Sequence, residues 1–164
     1  MLDLELCPFA APVLRDSSLR IAVSAADTTA GQLADYLAEL DRLQAAEESA
    51  IATTLLVFEH GPPDFVDFLG LVEAAEDLLE EAGLAGTIQL AHFHPAYRFA
   101  GEPVDSLSHF TNRSPLPVIH LLREAMLTRV LSSYPDPESI PRRNIERLEA
   151  LGREAVIARW QSLD

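Results

Sequence analysis

The span from residue 19 to residue 94 alternates between two hydrophobic periods, and this alternation constrains the fold more than any other feature. Leu19–Ser24 alternates apolar and polar residues, and Thr53–Phe58 is a short apolar run rich in β-branched side chains. Residues 87–94 end a third such run at Pro95. All three read as strands. Between them, Leu33, Tyr36, Leu37, Leu40 and Leu43 recur at helical spacing, which predicts a helix over residues 30–48 opened by Thr29 and Gln32 as a capping box. Phe65, Phe68, Leu69, Val72, Ala75 and Leu79 predict a second helix. Asp64 and Asp67 suit its positive end, and Gly83 suits its stop. Strand, helix, strand, helix, strand with short connections predicts parallel pairing through crossovers.

The rest of the chain extends this frame. Residues 1–17 read as irregular, broken by Pro8 and Pro12. Residues 95–114 read as a long loop. Pro115 and Pro117, with Ser114 as N-cap, predict a helix whose buried stripe is Ile119, Leu122, Met126 and Val130. On that helix His120, Arg123 and Glu124 would share a neighbouring stripe. A last helix starts at Pro141 and carries Ile145, Leu148, Leu151, Ala155 and Ala158. The expected architecture is therefore one α/β domain over residues 1–164. It has a small, mainly parallel three- to four-stranded sheet flanked by helices, with two C-terminal helices.

Composition narrows the function classes. The formal charge is −14, and the one basic doublet, Arg142-Arg143, lies among acidic residues. Such a chain repels nucleic acid and anionic membrane, so neither is expected as a partner. All 12 basic residues are arginine, which excludes a Schiff-base lysine and the lysine of a P-loop. The single cysteine, Cys7, excludes an intramolecular disulfide. No apolar run approaches the roughly 20 residues that span a bilayer. No basic-then-apolar leader pattern opens the sequence, so a cytoplasmic protein is expected.

Ligand sites of parallel sheets gather outside the carboxyl ends of the strands. Glu59 and His60 follow the second strand there, and His92 and His94 end the third. Residues two apart on a strand share a face, so His92-x-His94 has the spacing of a divalent transition-metal pair such as a zinc site, with Glu59, His60 or Cys7 as a third ligand. The competing reading places both rings in hydrogen bonds within the core. Thr111-Asn112-Arg113-Ser114 before a predicted helix combines hydroxyls, free N–H groups and an arginine fork, the makings of an anion site. Arg98 and Arg123 would join it if the loop folds back, and the competing reading is a capped helix start with Arg113 paired to an acid. His94 with His60 or Glu59 would then move a proton, Tyr97 would offer a hydroxyl, and Cys7 would be a nucleophile or a wall residue.

Cys7-Pro8-Phe9-Ala10, Leu55-Leu56-Val57-Phe58-Glu59-His60, Phe93-His94-Pro95, Phe110-Thr111-Asn112-Arg113-Ser114-Pro115 and His120-Leu121-Leu122-Arg123-Glu124 occur in this order, followed by Ile140-Pro141, Asn144 and Leu151-Gly152. In this the chain resembles an uncharacterised bacterial family known only as a domain of unknown function, number fourteen-fifteen. The resemblance covers nearly the whole chain and implies no established activity. It implies recurrent polar positions at Cys7, His60, His94, Tyr97, Asn112, Arg113, His120, Arg123 and Glu124, with His92 the weaker of its pair. Where the family has a helical segment before its Cys-Pro motif, almost nothing precedes Cys7 here. The leading expectation is a small-molecule enzyme or binding protein with a His/Arg/Cys pocket at the carboxyl edge of the sheet, taking an anionic ligand. A metal-dependent hydrolase-like site on His92 and His94 is the second expectation. A non-catalytic interaction or assembly module is the third.

Overall fold

The computed structural model describes residues 6–7, 10–132, 134 and 136–163. Pro8 and Phe9 of the Cys-Pro motif lie outside the described residues, as do residues 1–5 of the segment that reads as irregular. Strands β1 (Leu19–Ser24), β2 (Thr53–Phe58) and β3 (Ile88–Phe93) form where the alternation predicts them. A fourth strand, β4 (Val118–Arg123), joins them in one sheet of order β1-β2-β4-β3.

β1 pairs with β2 in parallel, and β4 is antiparallel to both β2 and β3. The sheet is therefore mixed, where the sequence predicts a mainly parallel one. The cause is β4. Residues 118–123 were expected to continue a helix from Pro115, but Val118-Ile119-His120-Leu121-Leu122 inserts between β2 and β3. A short apolar run fits a buried strand and a buried helix equally well, and sheet pairing decides between them. Helix begins only at Glu124, with α4 (Glu124–Ser132).

Helices α2 (Thr29–Ala45) and α3 (Phe65–Glu81) link β1 to β2 and β2 to β3. Both crossovers advance in one direction across the sheet, so both helices land on one face. There Tyr36, Leu40, Phe68, Val72 and Ala75 close over Leu56, Phe58, Ile119 and Leu121 as the main core. Asp64 caps α3, accepting from the N–H of Val66 at 2.8 Å. α2 is capped by Thr28, one residue before the predicted Thr29, through the N–H of Gly31. Gln32 does not complete a capping box; its amide donates to the carbonyls of Ala26 and His60.

The opposite face of the sheet is covered by short elements. α1 (Ala10–Arg15) lies in the segment expected to be irregular. Val13 of α1 and Met126 of α4 pack on Ala52 and Leu122. A 3-10 helix (Leu107–Thr111) shortens the expected long loop. The last predicted helix is two, α5 (Ile140–Leu151) and α6 (Arg153–Gln161), because Gly152 takes φ 85°, a conformation open to glycine at little cost. Leu148 and Val156 of this pair close with Leu6, Leu107 and Phe110 as a separate cluster.

Candidate functional site

The face covered by short elements is not filled. Between the Val13/Met126 cluster, the Leu6/Leu148 cluster and the sheet lies a largely apolar cavity of about 910 Å³. Volumes of roughly 300–1,000 Å³ are typical of small-molecule pockets. Its floor is the odd-even register of the sheet: Leu19, Thr53, Leu55, Phe93, Val118, His120 and Leu122 all point to this side. The pocket thus spans a sheet face, whereas the sequence reasoning looked for it outside the carboxyl edge. Ile21 and Val23 continue the same face along the edge strand β1 and are 61% and 64% exposed.

The expected anion segment forms one wall. Thr111, Asn112, Arg113 and Ser114 all line the cavity. They do so from a 3-10 turn leading into a strand, so Ser114 caps no helix; its hydroxyl donates to the carbonyl of Leu116 at 2.5 Å. Asn112 ties the segment to the end of β3. Its backbone carbonyl accepts from the N–H of His94 at 3.2 Å, and its amide donates to the carbonyl of His92 at 3.3 Å. The Thr111 hydroxyl is held by the carbonyl of Ser108 at 2.8 Å. Cys7 reaches the cavity from the other side, because Asn144 of α5 donates to the carbonyl of Leu6 at 2.6 Å and fixes the chain there.

Two lining groups retain unspent nitrogen atoms. The Arg113 guanidinium stacks on the Phe110 ring at 4.2 Å, and its buried Nε has no hydrogen-bond partner. Burial, and then the positive charge of Arg98, hold its pKa below the ordinary arginine value. The second group is His120. Thr53 donates its hydroxyl to the carbonyl of Leu121 at 2.6 Å, so its oxygen is left to accept from His120 Nε2 at 2.7 Å. That bond places the imidazole proton on Nε2 and leaves Nδ1 as an acceptor. Burial pushes the His120 pKa down to about 4, so the ring is neutral near neutral pH.

The remaining predicted residues lie elsewhere. His92 and His94 do share a face, but it is the α3 face, away from the cavity. His94 is fully buried and stacks on Phe68 with centroids 5.1 Å apart. Its Nε2 donates to the carbonyl of Pro62 at 3.0 Å, and its Nδ1 accepts from the N–H of Ala96 at 3.0 Å. A metal or a transferred proton would have to displace one of these bonds. Among the described residues no group of three His, Cys, Asp or Glu side chains is placed to hold a metal ion. His92 packs against Phe68 and Tyr97, and burial lowers its pKa. Tyr97 is buried between Phe65, His92 and Phe99. Glu59 and His60 are exposed at the end of β2. Arg123 donates to the carbonyls of Ile51, Leu43 and Ala46, two of them at 2.6 Å, and so closes the C-terminal end of α2. Thr53, the residue that orients His120, carried no signal in the sequence beyond its place in a β-branched run.

The motifs that line this cavity belong to one continuous pattern, and a family model described as "Protein of unknown function (DUF1415)" matches residues 1–158. The chain belongs to the DUF1415 family. No curated protein and no solved structure matches it. In this DUF1415 chain, Thr111-Asn112-Arg113-Ser114 of the loop and His120 and Leu122 of β4 meet at the cavity. No helix among the described residues is long and apolar enough to cross a membrane.

Proposed function

We propose that the protein is a cytoplasmic small-molecule binding protein whose ligand is an amphipathic anion, with a carboxylate held by Arg113 and an apolar body lying along the sheet face. The unpaired Arg113 carries this reading. The chain has 26 acidic residues, and Arg20, Arg42, Arg129, Arg142 and Arg153 each pair with one. Arg113 pairs with none among the described residues, and Arg98 stands near enough to depress its pKa. A half-buried guanidinium whose buried Nε lacks a hydrogen-bond partner is costly, and a bound carboxylate reduces that cost. The apolar lining supplies the area that holds the rest of the ligand. The charge of −14 argues against nucleic acid and an anionic membrane surface as partners.

Calorimetric titration with decanoate and with decanol tests the reading. Decanoate is expected to bind saturably and decanol roughly tenfold or more weakly, the scale of hydrogen bonds to a charged group. Arg113→Gln should remove that preference while decanol binding persists. Absence of decanoate binding, or an Arg113→Gln variant that still prefers it, would sink the proposal.

A further inference from the structure

We infer that the ligand of this pocket carries a hydroxyl or N–H group on its apolar body, and that His120 Nδ1 accepts a hydrogen bond from it. The inference rests on the carboxylate reading above and extends it to the chemical class of the ligand.

Three observations lead to it. The first is the direction of the Thr53–His120 bond. The Thr53 hydroxyl has one proton and gives it to the carbonyl of Leu121, so His120 is obliged to donate from Nε2. The free lone pair is on Nδ1. The second is that Nδ1 has no partner among the described residues, although the ring lies in an apolar floor beside Leu55, Val118 and Leu122. A hydrocarbon occupant laid over this floor would bury that acceptor unmatched, whereas an occupant that brings a donor would satisfy it. The third is placement. Arg113 follows Asn112, which is bound to the end of β3, and β3 ends opposite Val118. His120 lies two residues further along β4, roughly 6.6 Å at the usual strand rise. The donor therefore sits out along the ligand's body, not on the carbon next to the carboxylate.

His120 is not the anion's partner. The ring is neutral, its one N–H is given to Thr53, and Nδ1 offers only a lone pair. Nor does the binding step require any covalent change in the ligand.

The test compares decanoate with monohydroxydecanoates bearing the hydroxyl at successive chain positions. At least one mid-chain isomer should bind the wild type several-fold to roughly tenfold more tightly than decanoate, the worth of one neutral hydrogen bond. The 2-hydroxy isomer should show no such gain. His120→Phe should level the series, all isomers binding it no more tightly than decanoate does. Because that variant also loses the Thr53 bond, 15N NMR of the wild-type imidazole supplies a second readout: the Nδ1 resonance should move on adding the preferred hydroxy acid and stay with decanoate. If decanoate binds but no isomer gains, or the gain survives in His120→Phe with Nδ1 unmoved, the inference is wrong and the carboxylate reading stands. If neither acid binds, both are wrong.

Discussion

His120 shows how one hydroxyl can set the chemistry of a side chain on an interior strand of a four-stranded sheet. Its folded pKa is about 4 against an ordinary 6.5, so between those values the unfolded chain binds a proton that the folded chain refuses. Stability then rises with pH in that window. The contribution of His120 is present in full above about pH 6.5 and is lost as the pH falls toward 4. The limiting loss is about 3 kcal/mol. His92, also lowered by burial, adds a loss of the same sign. Urea denaturation should give a midpoint that is flat near neutrality and drops across this range, and His120→Gln should drop less. Parallel curves for the two proteins would refute the assignment. His94 illustrates the opposite case. With both ring nitrogens bonded to backbone and its faces against Phe65 and Phe68, it pins the end of β3 to the turn before α3.

At the scale of elements, the join between β4 and α2 separates packing from binding. Arg123 leaves β4 on the face opposite the cavity and gathers the carbonyls of Leu43 and Ala46 at the end of α2 and that of Ile51 just before β2. The first two are among the carbonyls a helix leaves unpaired at its C-terminus, where a cation is also favoured by the dipole. Arg123→Met should lower unfolding free energy by roughly 2–4 kcal/mol, read by chemical denaturation. It should leave decanoate affinity unchanged. A loss of affinity without a loss of stability would return Arg123 to the ligand. The elements around the cavity are short by comparison, and each of the two small clusters that bound it holds only three or four buried side chains. They wall a space and do not fill it.

The whole molecule sets the approach to the site. A carboxylate meets a field of formal charge −14 before it reaches Arg113 and the neighbouring charge of Arg98. Screening shortens that repulsion from about 30 Å at 0.01 M salt to about 8 Å at 0.15 M, while the half-buried Arg113 is screened much less. Stopped-flow association of decanoate should therefore quicken as salt rises over this range, with dissociation nearly constant. An association rate that slows with salt would mean that Arg98 and Arg113 govern the approach.

Local pattern was enough to determine three strands, two crossover helices, the Asp64 cap and the common direction of β1, β2 and β3, because each depends on periodicity and cap chemistry within a few residues. It was also enough to single out Thr111, Asn112 and Arg113, since turn residues beside an arginine announce themselves in any fold. Tertiary structure alone decided that Val118–Arg123 is a strand, since an apolar run of six residues becomes one only when β2 and β3 offer it two open edges. That single insertion made the sheet mixed, turned His120 into the pocket and Arg123 away from it, and set His92 and His94 against α3. Side chains that alternate on a strand part to opposite faces, and which face stays open depends on helices far away in the chain.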